Sequence, residues 1–420
     1  MKRANQYWKT LGPGLTTGAA DDDPSGIATY SQTGAQYGFQ LLWLAGFTFP
    51  LMAIVQEMCA RIGLVTGRGL AGNIRIYFPR WVLYTSSILL FVANTFNIGA
   101  DLGAMAKATQ LLFPEVSFGG LIIVFTTLSL LLQIFTSYEK YAKYLKWLAL
   151  VLLSYVFSAL SVKINFHDLA FHTFIPSITL GKEQIILIAG ILGTTISPYL
   201  FFWQTSQEVE EQILGGKTTL KLRQNETTEE EIKTMRIDVW SGMFLSNIVM
   251  YFIIAASAAT LFSHGITNIK TASDAALALK PIAGDNAYLL FTIGIIGTGM
   301  LAVPVLAGSA SYALAESFRW KYGLYKKLKE ANSFYGVIII SMLIGLSINF
   351  SGIDQIKALI YSAVLNGIVA PIILVVIVLI SSNKKIMGTR VNHPLTTGFG
   401  WLITLIMTCV AFAVILSPLF

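Results

Sequence analysis

The sequence predicts an all-α polytopic membrane protein. Only 12% of its 420 residues are charged, whereas a soluble domain carries about 25%. The mean hydropathy is +0.66, and apolar windows of about 20 residues recur along the chain. Each window is long enough for one helix to cross about 30 Å of hydrocarbon. The composition therefore excludes an ordinary soluble domain.

About eleven membrane spans are expected, and they cover most of the chain. Their predicted limits are residues 12–34, 40–62, 81–112, 118–136, 141–162, 183–206, 237–263, 285–316, 333–350, 355–381 and 396–418. Most of the 29 Lys and Arg residues fall between these spans on the side of the N-terminus. The positive-inside rule then makes the N-terminus cytoplasmic. The basic charge thus follows from membrane topology, and no nucleic-acid partner is expected.

Two segments between spans have a character of their own. Residues 215–236 are charged and are expected to form a solvated helical hairpin on the cytoplasmic side. Residues 271–280 are expected to form a short amphipathic helix on the outer surface.

Cys59 and Cys409 both fall in apolar segments, so neither a disulfide framework nor a zinc site is expected.

The first span carries a polar interruption. Asp21, Asp22 and Asp23 are followed by Pro24, Ser25 and Gly26 in an otherwise apolar stretch. A carboxylate inside a membrane segment marks a functional site by default. Proline removes a backbone donor and glycine loosens the chain, so the helix is expected to unwind here. Carboxylates beside freed carbonyl oxygens have the chemistry of a cation site.

The sixth span carries a similar polar interruption. A small polar run from Gly193 to Ser197 precedes Pro198 and Tyr199 in the middle of an apolar stretch. Interrupted spans at matching places in two halves of a chain indicate the binding site of an inverted-repeat transporter. The alternative interpretation is a pair of kinked helices without a ligand, because proline is common in membrane helices.

These motifs resemble those of the Nramp family. Residues 12–43 resemble the opening of an Nramp protein, with Asp23 and Pro24 at the Asp-Pro of the family's Asp-Pro-Gly-Asn motif. Residues 100–102 match a family Thr-Asp-Leu, and residues 193–198 align with Gly-Ala-Thr-Val-Met-Pro. The resemblance implies a LeuT-type fold, with two inverted five-helix repeats at 12–162 and 183–381 and an extra helix at 396–418. The substrate ion is then expected between the first and sixth helices.

The resemblance also implies a set of metal ligands, from which this chain departs. The family binds metal with aspartate, asparagine, a main-chain carbonyl and methionine; here Gly26 replaces the asparagine and Ser197 the methionine. Thioether sulfur favours softer metals, whereas Mg²⁺ prefers oxygen and retains several waters. The chain thus resembles the Nramp-related magnesium transporters. The expected metal-site residues are Asp23, Ser25, Gly26, Thr194 and Ser197.

A second group of departures concerns protons. Tyr199 and Gln204 stand where the family has two histidines, and Ala104 replaces a glutamate near the retained Asp101. Histidine is the side chain that titrates near neutral pH, and all four histidines here fall in predicted loops. Transport uncoupled from protons is therefore expected, driven by the membrane potential. The expected pathway residues are Asp101, Asn366, Tyr199 and Gln204.

The sequence thus predicts a multi-pass transporter, in a bacterial inner membrane, that imports Mg²⁺ and also Mn²⁺. Its expected partners are the divalent ion and the lipid bilayer; no cofactor is expected, and no oligomeric state is specified. Two alternatives stay open: a proton-coupled Mn²⁺/Fe²⁺ symporter and a sodium-coupled carrier of an organic solute. No catalytic triad, histidine pair or phosphate-binding loop is visible, so an enzyme is not expected.

Three further polar residues are expected to have structural roles. Asn94 and Asn97 are expected to form hydrogen bonds to neighbouring helices, and Glu57 is expected to form an ion pair with Arg61.

Overall fold

The regular structure of the chain is helical. A computed structural model describes residues 12–136, 153–161, 166–179, 181–280 and 284–416. In these ranges the α-helices are α1 Pro13–Asp21, α2 Pro24–Tyr37, α3 Trp43–Thr66, α4 Leu70–Tyr77, α5 Arg80–Leu112, α6 Phe118–Phe135, α7 Leu153–Ser161, α8 Phe166–Phe174, α9 Lys182–Thr195, α10 Pro198–Leu214, α11 Leu220–Asn225, α12 Glu229–Thr260, α13 Ala272–Ala276, α14 Ala287–Phe318, α15 Asn332–Ile348, α16 Gln355–Ser381, α17 Lys384–Met387 and α18 Pro394–Leu416.

The membrane spans agree with the sequence prediction. Within the described residues, 8 spans are long and apolar enough to cross a membrane, with α9 and α10 counted as one interrupted span. The helices α1 and α2 form a second interrupted span, and α15 is a shorter apolar helix. The predicted span 141–162 lies largely outside the described residues. The total of eleven spans therefore stays a prediction.

Both predicted interruptions are present. The first lies between α1 and α2, where Asp23 is the N-cap of α2 and Pro24 is its first residue. The second lies between α9 and α10, at Ile196 and Ser197. In each case a proline begins the second half-helix, because its missing N–H and fixed φ suit the first helical position. In the predicted orientation, α1 and α10 are the inner half-helices, and α2 and α9 are the outer ones.

The first span packs on α12 through glycines. A Cβ atom built on Gly18 would lie 2.2 Å from the carbonyl oxygen of Gly242, and one built on Gly242 would lie 2.1 Å from that of Gly14. Further out, a Cβ on Gly34 would lie 2.3 Å from the carbonyl oxygen of Ile254. Small residues allow such backbone contact between membrane helices. The glycines therefore fix how closely the interrupted span approaches α12.

The segments between spans contain the helices that the sequence predicts at 215–236 and 271–280. Helix α12 begins at Glu229, before the predicted 237, because Thr228 and Glu231 form a capping box. Helix α11 lies within the charged 215–236 segment. Helix α13 confirms the short helix expected at 271–280. The prediction that every histidine lies in a loop is wrong for His167 and His172, which lie on α8.

The glycine contact gives a test of the packing. Gly242→Ala is expected to destabilise the protein by about 1–3 kcal/mol, because the atoms that its Cβ would meet belong to the backbone and cannot rotate away. The measurement is the Tm of the detergent-solubilised protein. Gly398→Ala is the matched control, since a Cβ there meets nothing within 4 Å. An equal Tm for the two variants would contradict the close packing.

Candidate functional site

Asp23 is held in place by its own helix. Its Oδ1 accepts hydrogen bonds from the Gly26 main-chain N–H at 2.7 Å and from the Ser25 hydroxyl at 2.6 Å. Its Oδ2 accepts from the Asn97 side chain at 3.0 Å. All these groups are buried. The N-terminus of α2 thus directs main-chain N–H groups toward Asp23, and Asn97 fixes the carboxylate toward α5.

Asp101 lies on α5 about one helical turn after Asn97. It is fully buried, and neither of its carboxylate oxygens has a hydrogen-bond partner. The Asp23 carboxylate and the Ser25 main-chain N–H interact with it electrostatically. An isolated ionised carboxylate in an apolar interior is strongly disfavoured. Asp101 therefore requires a cation or a proton at the same place where Asp23 is held.

The break between α9 and α10 contributes oxygen atoms. The Thr194 hydroxyl is buried without a hydrogen-bond partner, and it lies 3.0 Å from the position that a Cβ on Gly26 would occupy. The two interrupted spans therefore meet at Gly26 and Thr194. The Ser197 hydroxyl lies 2.6 Å from the carbonyl oxygens of both Gly193 and Thr194, and its one proton is shared between them. Its own oxygen lone pairs stay available to a ligand.

Asp21 and Asp22 face away from α5. The Ser246 hydroxyl on α12 donates to Asp21 Oδ2 at 2.6 Å and lies 3.4 Å from Asp22 Oδ1. The second oxygen of Asp21 is buried without a partner. The three consecutive aspartates thus point to two different helices, a division that helical periodicity does not reveal because the helix stops at this point.

Asp21, Asp22, Asp23 and Asp101 form a buried cluster of four carboxylates. None of them makes an ion pair within 4.0 Å of a basic group in the part of the chain that the structure describes. Buried charges are normally paired or coordinate metals. This cluster therefore suits a positively charged ligand and is unsuited to an anionic one.

Tyr199 and Gln204 connect the inner half-helices. The Tyr199 hydroxyl donates to the carbonyl oxygen of Ala20 at 2.9 Å, next to the end of α1. Gln204 accepts from the Thr17 hydroxyl at 2.5 Å and donates to Glu208 at 2.8 Å. Their contacts are thus with α1 and, for Gln204, with Glu208 of their own helix, on the predicted inner side of the two breaks.

The remaining polar predictions have different outcomes. Asn94 donates to the Leu306 carbonyl and to Ser309 on α14, which confirms it as a bond between helices. Asn97 also bonds a neighbouring helix, but its partner is Asp23. Its place beside the interruption was missed, because Asp23 lies 74 residues away in sequence. The predicted Glu57–Arg61 ion pair is confirmed at 3.7 Å.

Asn366 is a buried amide on α16. Neither of its side-chain polar atoms has a hydrogen-bond partner. The next residue, Gly367, packs against Gly193 of α9, so Asn366 lies on the helix that contacts the second break. An unpaired buried amide costs about 1–3 kcal/mol. Such a cost is tolerable at a place where a ligand or its waters can bond to the amide.

A cavity leads toward this cluster from the predicted outer side. It has a volume of about 640 Å³, and its lining includes Pro24 and Ala28 of α2 and Ala104 of α5. Lys107 and Asp354 also line it. Pro24 directly follows Asp23, so the cavity ends beside the first break. Ala104, which stands where the Nramp pattern has a glutamate, presents only a small side chain to this cavity.

A family model matches nearly the whole chain. The model described as "Natural resistance-associated macrophage protein-like" (Nramp) covers residues 14–417. The chain belongs to the Nramp family. Nramp proteins are membrane transporters and not enzymes, and this Nramp chain is accordingly a multi-pass membrane protein. A bacterial inner membrane fits the bacterial relatives described next.

Two relatives illustrate the extent of the sequence similarity. It is 27% identical over 403 residues to the divalent metal cation transporter MntH of Klebsiella pneumoniae, covering 94% of this chain and 91% of the relative. It is 26% identical over 402 residues to the MntH of Yersinia pestis, covering 94% and 92%.

Solved structures confirm the fold. The Eremococcus coleocola manganese transporter superposes with a TM-score of 0.74 at 17% identity, covering 97% of the Nramp chain and 87% of that protein. The inward-facing form of Mhp1 matches with a TM-score of 0.54 at 13% identity, covering 97% and 90%. The LeuT-type fold expected from the sequence is therefore confirmed, whereas the limits of the two repeats stay a prediction.

The unpaired state of Asp101 can be tested by stability. Asp101→Asn is expected to raise the Tm in metal-free buffer by about 1–3 °C, because a neutral amide replaces a buried carboxyl group whose charged form has no partner. It is also expected to reduce the further rise in Tm that a divalent cation is expected to give to the wild type. Glu115→Gln, at an exposed position, is the control. A lower Tm for Asp101→Asn in metal-free buffer would contradict this interpretation.

Proposed function

We propose that this chain is a divalent metal cation transporter that imports Mg²⁺, and also Mn²⁺, by alternating access. The observation that carries the proposal is the meeting of two interrupted spans at a buried cluster of carboxylates without a basic partner. Names of relatives support the class of substrate: MntH is a divalent metal cation transporter, and the E. coleocola protein is a manganese transporter.

The proposed ion lies between Asp23 and Asp101. Two carboxylates match the double charge of the ion, and the Asp23 carboxylate is already oriented by Asn97 and by the start of α2. Ser25, Thr194 and Ser197 offer further oxygens, directly or through water. Gly26 contributes no side chain, and a Cβ there would lie 3.0 Å from the Thr194 hydroxyl. Glycine at this position therefore keeps the Thr194 oxygen accessible to the proposed ion or to one of its waters.

The preference for Mg²⁺ rests on the chemistry of these donors. The side chains at the two breaks offer oxygen only, and oxygen is the ligand that hard cations prefer. The methionine of the family pattern is absent from position 197. Mg²⁺ loses its water reluctantly, so a site without the family asparagine and methionine is suited to a partly hydrated ion.

The proposed driving force is the membrane potential alone. For a divalent ion it amounts to roughly 4.6 kcal/mol at 100 mV. The two positions at which the family has histidines hold Tyr199 and Gln204, and both make hydrogen bonds to α1. Neither group changes charge near neutral pH. We therefore expect no proton to accompany the ion.

One observation favours the proton-coupled alternative. When a divalent ion neutralises Asp23 and Asp101, Asp21 and Asp22 are left beside Ser246 without a positive partner. Such buried carboxylates are stable when protonated. If these protons are exchanged during each cycle, transport of Mn²⁺ or Fe²⁺ would carry protons with it. The first experiment below distinguishes the two mechanisms.

Uptake into liposomes tests substrate and coupling together. The vesicles contain one dye for Mg²⁺ and one for pH, and they are held at a negative inside potential. We expect Mg²⁺ to enter without acidification. Asp23→Asn is expected to reduce the rate by more than about 100-fold, because it removes one of the two charges that hold the ion.

Glu115→Gln is the control for Asp23→Asn and should transport at the wild-type rate. If Mn²⁺ enters with acidification while Mg²⁺ neither enters nor competes, the chain is a proton-coupled symporter and the magnesium proposal is wrong. If Asp21→Asn and Asp22→Asn then remove the acidification, those two residues carry the protons.

Position 197 tests the proposed cation preference. Ser197→Met introduces a thioether beside the Thr194 carbonyl, and it is expected to shift the preference from Mg²⁺ toward Mn²⁺ by about tenfold. The measurement is competition between the two ions for uptake. Ser197→Ala also removes the hydroxyl but adds no sulfur, so its preference should stay close to that of the wild type. Equal preferences for the two variants would show that the sulfur does not set selectivity.

A further inference from the structure

The start of the inner half-helix α1 is capped by a residue from another span. Asp238 on α12 accepts hydrogen bonds from the main-chain N–H groups of Gly12 at 2.8 Å, Gly14 at 2.6 Å and Leu15 at 3.1 Å. Both carboxylate oxygens take part, and the side chain is buried. Because α1 has no cap of its own, its first N–H groups depend on Asp238.

The position of Asp238 is fixed by the glycine contact. Gly14 approaches so closely that a Cβ atom there would lie 2.6 Å from the main-chain N of Val239, the residue that follows Asp238. A carboxylate at the positive end of a helix is also favoured by the helix dipole. The start of α1 therefore stays on α12 as long as these three hydrogen bonds are intact.

Two further bonds tie α1 to the inner half-helix α10. Thr17 donates to Gln204 near the middle of α1, and Tyr199 donates to the Ala20 carbonyl near its end. Both are bonds between uncharged groups, which are weaker than bonds to a carboxylate. Asp238 makes three charge-assisted bonds and is the strongest of the contacts described here.

We propose that Asp238 holds the inner side of the transporter closed by binding the start of α1. Opening toward the cytoplasm requires α1 to leave α12, and this movement breaks all three bonds to the carboxylate. Asp238 is thus a positioning residue: it touches no transported ion, and it sets the balance between the outer-open and inner-open states. The inference rests on the proposed alternating-access function but needs no particular ion.

Two reporter cysteines can measure this balance without any metal. Ala19→Cys places a thiol on buried α1, and Ala28→Cys places one in the cavity on the outer side. Each is built in a Cys409→Ser background, since Cys409 is exposed and Cys59 is buried. The protein in nanodiscs is treated with a water-soluble maleimide, and the labelling rate is measured.

Asp238→Ala is expected to raise the labelling rate at position 19 at least tenfold and to lower it at position 28. The opposite changes identify a shift between two states, because general unfolding would raise both rates. Ile237→Ala is the control: this neighbouring residue is exposed, and its side chain takes no part in the cap. Asp238→Asn and Thr17→Val should change both rates in the same directions by smaller factors.

These two milder variants decide the question if Asp238→Ala does not fold. Folded variants that label at wild-type rates at both positions would overturn the proposal, whether or not they transport. If the wild type transports no divalent ion while the variants show the expected labelling shifts, the proposed function is overturned and the role of Asp238 is kept. The two failures are therefore distinguishable.

Discussion

The constraint on which the rest of the structure depends is the burial of Asp21, Asp22, Asp23 and Asp101 without a basic partner among the described residues. A membrane interior tolerates such charges only where the protein or a ligand compensates for them. The interruption of the first span supplies part of this compensation, because it turns the N-terminus of α2 toward Asp23. The negative charge that is left without compensation favours the binding of a cation.

The same interruption divides the carboxylates between two neighbours. Asp23 turns toward α5 and Asn97, whereas Asp21 and Asp22 turn toward α12 and Ser246. The α5 side lies at the end of the outer cavity, where we propose that the ion binds. The α12 side belongs to the helix that also caps α1. The proposed ion site and the helix that positions the inner half-helix thus lie on two sides of one short segment.

Much of this arrangement could be predicted from the sequence, because its causes are local. Proline, glycine and aspartate disturb a helix wherever they occur together, and both interruptions were therefore placed correctly. The helix toward which Asp21 and Asp22 point could not be predicted, because helical periodicity ends at the break. The contact of Asp238 with Gly12 joins residues 226 positions apart, and no local pattern marks it. The predicted span begins at residue 237, whereas helix α12 already begins at Glu229. The helix starts earlier because Thr228 and Glu231 form a capping box within the charged segment.

The hydrogen bond from Tyr199 to the Ala20 carbonyl joins the two interrupted spans at their weakest points. Because Ala20 lies near the end of α1 and Tyr199 near the start of α10, a movement of one inner half-helix away from the other breaks this bond, at a cost of about 1 kcal/mol. When both half-helices move together, the bond is kept. Under the proposed alternating access, this difference favours a joint movement of the two inner half-helices.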